Sequence, residues 1–399
     1  MAISTILYTY KDLIDHLVNY SGGVGHAATL PRIKFAVQQA YRNLVNYHEW
    51  KYLYRNLVIL TNAPYDTGTV AYDHTGGTYE RQLTLTTGTW PTWADQGHVR
   101  IDGEFYEVES RKSSSVVTLR ENSNPGQDVA SGETYTLYQS RYTLPADFRK
   151  TYSGILQSQA GPLRYVPPDQ WHFDERYFHS QGTVQTWTVM GSPNDPGRMS
   201  LYFAPYPGTA TTIAFLYQRL SRPMKYDGTG SGETTGTISW SASGTAITGS
   251  GTAFTAAHVG SVIRAGSASV APDGLEGASP YSEQGIIASV ASATSATLQS
   301  ASTAAVSGVK FTISDPVDIP QHMLDALFRG CELQLGVGGR NSPATSTLAS
   351  IYEDALRRAL ANDNMSLQSM AQGSIGLNHQ VYMSPATSAI ETSSGNLEV

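Results

Sequence analysis

The chain has a single cysteine, Cys331, so it can build neither an intrachain disulfide framework nor a cysteine-based zinc site. Cys331 stands in an apolar helical stretch and reads as a small buried hydrophobe. Charge is also scarce: Asp, Glu, Lys and Arg make up 15% of 399 residues, against about a quarter in ordinary domains. No apolar run approaches the roughly 18 residues that span a bilayer. The start, Met1-Ala2-Ile3-Ser4-Thr5, lacks the basic segment and small-residue cleavage site of a signal peptide. The expectation is a soluble chain with no membrane partner, made in a reducing compartment. A net charge of −7 disfavours a global electrostatic grip on nucleic acid and leaves room only for a local basic strip.

What is plentiful is Gly (37), Tyr (24), Ser and Thr, with 40% hydrophobic residues. That is enough apolar material to fold, at a length suited to two to four units. The polar surface is hydroxyl rather than ionic, as in β-rich proteins.

Periodicity places helices at both ends. Thr9 can cap a helix with Asp12 at its third position and Leu13, Ile14, Leu17 and Val18 on one face. Pro31 opens a second helix striped by Ile33, Val37, Ala40, Tyr41 and Leu44. Leu57-Val58-Ile59-Leu60 reads as a buried strand. Near the other end, Pro320 opens a helix with Met323, Leu324, Leu327, Phe328, Cys331 and Leu335 inward. Ser342-Pro343 starts another, striped by Leu348, Ile351, Tyr352, Ala355, Leu356 and Ala359. Each apolar face needs a partner, and packing the four together satisfies all of them.

Between the helices, two β-rich stretches read as copies of one module. Gly68-Thr69-Val70-Ala71-Tyr72 matches Gly236-Thr237-Ile238-Ser239-Trp240. Gly97 to Ile101 matches Gly260 to Arg264, and Val117-Thr118-Leu119 matches Ala296-Thr297-Leu298. The closing match sets Ser131-Gly132-Glu133-Thr134-Tyr135-Thr136-Leu137 against Ser307-Gly308-Val309-Lys310-Phe311-Thr312-Ile313: a turn feeding a strand with alternating faces. Strands of the host core are expected at residues 151–156, 183–190, 199–206 and 211–219, with a short helix from Asp169 to Phe178. Residues 363–399 lack a clear apolar period and read as an extended arm pinned by a partner.

The expected fold class is therefore α+β, with a central antiparallel β core and two inserted β-sandwich or barrel modules related as internal repeats. Residues 1–64 and 317–362 make the helical bundle, 65–139 the first module, 140–225 the central core, 226–316 the second module and 363–399 the C-terminal arm.

Catalytic signatures are missing. There is no Gly-x-Ser-x-Gly elbow and no nucleotide-cradling P-loop. The glycine-rich Ser21 to His26 follows a helix instead of a strand, so it reads as a helix stop. His172, Glu175 and His179 would share a helix face, as metal ligands do, but no second element offers complementary ligands. Asp102/Glu104 and Glu107/Glu109 fall at strand spacing, and a solvated face explains them. Trp90, Trp93, Trp187 and Trp240, with the tyrosines, suit either sugar stacking or subunit interfaces; the interface reading is favoured. No catalytic, cofactor or metal residues are assigned.

In its order of features the chain resembles the head-to-tail adaptor (connector) proteins of short-tailed bacteriophages. The resemblance is carried by the N-terminal helix pair, Tyr10 to Ile14 and Arg32 to Leu44, and by Tyr142-Thr143-Leu144-Pro145-Ala146-Asp147-Phe148. Ala204-Pro205-Tyr206-Pro207 followed by Phe215-Leu216-Tyr217-Gln218-Arg219 is similar to a strand pair of that family. Gly251 to Thr255, with Gly308 to Ile313, looks like a β module recurrent in phage structural proteins. The resemblance covers about half the chain, and the two inserted modules depart from the shortest adaptors.

It implies a virion protein, made in the host bacterial cytoplasm, that forms a ring, typically a dodecamer, at the head–tail interface. Its partners would be the portal protein, tail nozzle, tube or fibre proteins and further copies of itself. Double-stranded DNA would pass through the lumen during ejection without specific contact, and no enzyme activity or cofactor is implied. The arm would dock on a partner through Leu377, His379, Val381, Tyr382 and Met383. The alternative is a virion carbohydrate- or receptor-binding protein or another tail structural protein. An envelope-degrading hydrolase comes last.

Overall fold

The computed structural model describes residues 7–22, 29–152, 156–158, 161–171, 180–337 and 343–374. The fold is mixed α+β, with helices and several largely antiparallel sheets. The chain forms two compact units, Leu53–Leu220 and Met1–Tyr52 with Ser221–Val399.

In the first unit, β1 (Tyr54–Leu60) belongs to a central sheet. A separate seven-stranded sheet follows, from β2 (Val70–Asp73), β3 (Gln82–Leu85), β4 (Gly97–Ile101), β5 (Glu104–Arg111), β6 (Val116–Leu119), β7 (Val129–Glu133) and β8 (Tyr135–Gln139). The chain returns to the central sheet through β9 (Arg141–Thr143), β10 (Phe148–Thr151), β11 (Leu156–Ser158) and β12 (Gly161–Tyr165). After β13 (Gln181–Gly182) come β14 (Thr186–Gly191), β15 (Met199–Ala204), β16 (Tyr206–Pro207) and β17 (Thr212–Arg219). The central order is β1-β17-β11-β12-β14-β15-β9, with β10 also on β17, while β13 pairs with β16. Tyr142, Leu144, Trp187, Leu201, Phe203 and Phe215 fill the core of this sheet.

The second unit holds the helices. α1 (Tyr10–Tyr20) starts as its sequence dictates: Thr9 is the N-cap and exchanges hydrogen bonds with Asp12 in a capping box. α2 (Leu30–Tyr47) has Pro31 in its first turn, and Ile33, Val37, Ala40, Tyr41 and Leu44 are all buried. A second seven-stranded sheet uses β18 (Thr237–Trp240), β19 (Ala246–Ser250), β20 (Val262–Ala265), β21 (Glu283–Ser292), β22 (Ser295–Leu298), β23 (Val306–Val309) and β24 (Phe311–Ser314). α3 (Leu324–Val337) and α4 (Pro343–Ser374) follow. α1 packs on α2 and α3, α2 on α3, and α3 on α4. Cys331 is buried within α3, and burial raises its thiol pKa well above the ordinary value.

The two seven-stranded sheets have the same strand order, β7-β2-β3-β6-β5-β4-β8 and β23-β18-β19-β22-β21-β20-β24. The shared detail goes further. Register shifts fall between Val108 and Ser110 on β5 and between Ile287 and Ser289 on β21. Beside each shift a hydroxyl pair crosses to the next strand, Ser110 Oγ to Thr118 Oγ1 at 2.8 Å and Ser289 Oγ to Thr297 Oγ1 at 2.7 Å. Tyr135 and Leu137 in one sheet, and Phe311 and Ile313 in the other, point into the respective cores.

Several expectations need correction. Pairing sets Val99 opposite Leu137 and Ile263 opposite Ile313, so Gly97 to Ile101 corresponds to Ser261 to Ala265, one residue later than the sequence match. β1 is not a buried strand: among the described residues it pairs with β17 alone, and Val58 and Leu60 are 55% and 63% exposed. Ile351 lies outside the buried stripe of α4. That helix also runs through the first residues of the segment expected to be extended, because no glycine or proline intervenes before Gly373.

Candidate interaction surface

The carboxylates singled out by spacing are held by structure. Asp102 occupies the turn between β4 and β5 with φ of +50°, so it does not share a strand face with Glu104. Glu107 pairs with Arg141, whose guanidinium is buried, and with Arg120 at 2.8 Å; Glu109 pairs with Arg81 at 3.4 Å. Burial pushes the Glu107 carboxyl up, but Arg141, His98 and Arg120 outweigh it and hold it below the usual carboxylate range.

The second unit uses its buried acids in the same way. Asp12 accepts two hydrogen bonds from Arg264 and one from the Leu275 amide at 2.7 Å. Asp315 accepts from Arg222 at 2.8 Å, Ser261 Oγ at 2.8 Å and the amides of Lys225 and Tyr226. Glu332 is held by Arg329 at 3.0 Å and by His16 Nε2 at 3.2 Å, while His16 Nδ1 faces Glu276 at 3.1 Å. Asp227 pairs with Lys34 and accepts from Thr229; burial raises its pKa, and these partners bring it below the ordinary value. Each of these acids fixes a loop or helix against a cation or backbone amide. Among the described residues, no group of three or more His, Cys, Asp or Glu side chains is placed to hold a metal ion.

The tryptophans do not supply the expected contact surface. Trp90, Trp187 and Trp240 are buried in three different cores and Trp93 is partly buried against the first of them. Trp90 Nε1 donates to the Ser115 carbonyl at 3.0 Å and Trp240 Nε1 to the Ala304 carbonyl at 3.1 Å. Trp187 and Trp240 sit on strands that turn them inward, whereas Trp90 and Trp93 lie in the connection between β3 and β4.

The apolar surface that is exposed lies elsewhere. On the outer side of the central sheet, Val58 and Leu60 of β1 stand near Leu216 of β17, with Tyr152 following β10. Tyr152 packs edge-on against Tyr54, ring centroids 4.5 Å apart. The inner side of the same strand places Leu57 and Ile59 against the core. The strand was visible in sequence as a continuous apolar run, but not that only one of its faces has a partner.

A groove of 260 Å³ opens on the same unit, lined by Phe148, Lys150, Tyr165, Trp187, Val189 and Met199 among others. Tyr165 and Trp187 tilt against each other at 4.9 Å. On the helices, Phe35 and Tyr47 are exposed at 68% and 60%.

Leu377, His379, Val381, Tyr382 and Met383 lie outside the described residues, as do His172, Glu175 and His179. No described helix is long and apolar enough to cross a membrane. Compared with family models, curated proteins and solved structures, the chain matches none.

Proposed function

We propose that this chain is a subunit of the head-to-tail adaptor ring of a tailed, short-tailed bacteriophage. The carrying observation is the packing of helices from both ends of the sequence, α2 on α3 and α3 on α4, beside the N-terminal helix pair that carries the resemblance. In this reading the four helices form one bundle from residues 1–64 and 317–362, facing the portal and neighbouring copies. The two seven-stranded sheets are copies of one module inserted into the host chain; identical strand order, matched register shifts and the repeated Ser–Thr pair support that relation. Ring formation by head-to-tail contacts would bury the apolar strip of β1 and β17, which a lone subunit leaves in water.

The ring, typically of twelve copies, joins the portal to the tail proteins and lines part of the DNA exit channel in the virion. Low charge and a net negative sign suit a conduit that does not retain DNA. Negative-stain electron microscopy of the purified chain, alone and with the portal protein of the same genome, tests this. Rings, or portal rings that gain a collar, are expected. Dispersed monomers that ignore the portal would overturn the reading.

A further inference from the structure

β1 is the outermost strand of the central sheet. The Thr61 amide donates to the Thr211 carbonyl at 2.9 Å, so the odd positions of this antiparallel ladder bond to β17. The backbone groups of Asn56, Val58 and Leu60 therefore face the free edge. Proteins blunt such edges with proline, lysine or bulges. Tyr54–Leu60 contains no proline or lysine, and its pairing with β17 runs in continuous register.

The sequence after α4 has the matching character. Ile375, Leu377, Val381 and Met383 fall at odd positions of an uncharged stretch that ends before Pro385, with His379 and Tyr382 interrupting the alternation. The 32 residues of α4 span about 48 Å and the 14 of its packing partner α3 about 21 Å. α4 thus outruns that partner.

We infer that residues 375–383 of one copy add as a strand to the β1 edge of a second copy, with Leu377 and Val381 beside Val58 and Leu60. Backbone hydrogen bonds give the affinity and alternate side chains fix the register. The inference rests on the proposed self-association into rings and is independent of the portal.

Amide hydrogen exchange on rings of the full chain tests it, with two variants. In wild-type rings the amides of Asn56, Val58 and Leu60 are expected to exchange at least tenfold more slowly than in the free subunit. A variant carrying both Gln380→Pro and Val381→Pro breaks the added ladder at whichever of the two positions bonds, and should abolish protection and dissociate the rings. Val58→Lys should do the same from the acceptor side, with the thermal midpoint of the subunit unchanged because Val58 is exposed. Rings in which these amides exchange freely would overturn the strand addition and leave the ring standing. Protection that survives both the proline variant and removal of 375–399 would assign the edge to another occupant, such as a second β1, and also overturn it. Absence of rings, alone and with portal, would overturn the ring reading itself.

Discussion

Arg264 grips Asp12 through two parallel hydrogen bonds, Nη1 to Oδ1 at 2.7 Å and Nη2 to Oδ2 at 2.8 Å. Both side chains are withdrawn from water, and 252 positions of sequence separate them. Asp12 is also the third residue of α1 and completes its capping box with Thr9. One carboxylate therefore caps a helix and ties it to β20. In the other seven-stranded sheet the corresponding residue by cross-strand pairing is Arg100, which is exposed and bonds to the Gly103 carbonyl at 3.3 Å.

Removing Arg264 leaves a buried carboxylate without its cation. Arg264→Ala is expected to destabilise the second unit by about 3–5 kcal/mol. Converting both partners, Asp12→Asn with Arg264→Met, should recover part of that loss, because no buried charge remains. Chemical denaturation of the full chain measures both. A double variant no more stable than Arg264→Ala would contradict the account.

Glu107 makes a pH-dependent contribution whose sign follows from its lowered folded-state pKa. Its pairing stabilises the fold above the ordinary carboxylate value, about 4.3, and that stability is lost as pH falls through the lower folded-state value. Glu107→Gln should cost stability at neutral pH, and the gap to wild type should narrow when the pH is taken below the ordinary carboxylate value. Denaturant midpoints at the two pH values decide it. A gap independent of pH would mean that geometry, not charge, holds Arg141.

Gly68 and Gly236 open their respective sheets with φ of +85° and +96°. A Cβ would meet the Thr87 carbonyl oxygen at 2.3 Å in one and the Ser250 carbonyl oxygen at 2.5 Å in the other. Gly68→Ala and Gly236→Ala should each destabilise by more than about 1 kcal/mol, since positive φ and a backbone clash add together. Thermal unfolding of the two single variants reads this out. If either is neutral, the two turns are not constrained alike.

The truncation of residues 375–399 removes sequence that begins after α4 ends. It should leave the unfolding transition cooperative, with its midpoint within a few degrees of wild type, while weakening assembly at least tenfold. Calorimetry and sedimentation of the same sample separate the two effects. Loss of cooperativity would show that the segment belongs to the fold of its own subunit.

Local chemistry was readable wherever it acts over a few residues. Thr9 and Asp12 specify a capping box because both partners lie within one helical turn, and the stripe from Ile33 to Leu44 specifies a buried helix face by its spacing alone. The turn-plus-strand patterns ending in Leu137 and Ile313 marked two closing strands for the same reason. The candidate surface was less legible. Tryptophans expected at an interface fill cores, because composition does not say which way a side chain faces.

The sequence by itself determined the helix starts, the alternation of the strands and the scarcity of charge, since each is set by neighbours or by counting. The tertiary structure alone decided that β1 has one neighbour among the described strands, that Val58 and Leu60 meet water, and that Asp12 finds Arg264. These depend on which distant strand closes a ladder and which distant loop covers a helix. An isolated segment carries the same hydrogen-bonding groups and the same apolar faces whichever partner it meets, so only the packed chain selects one.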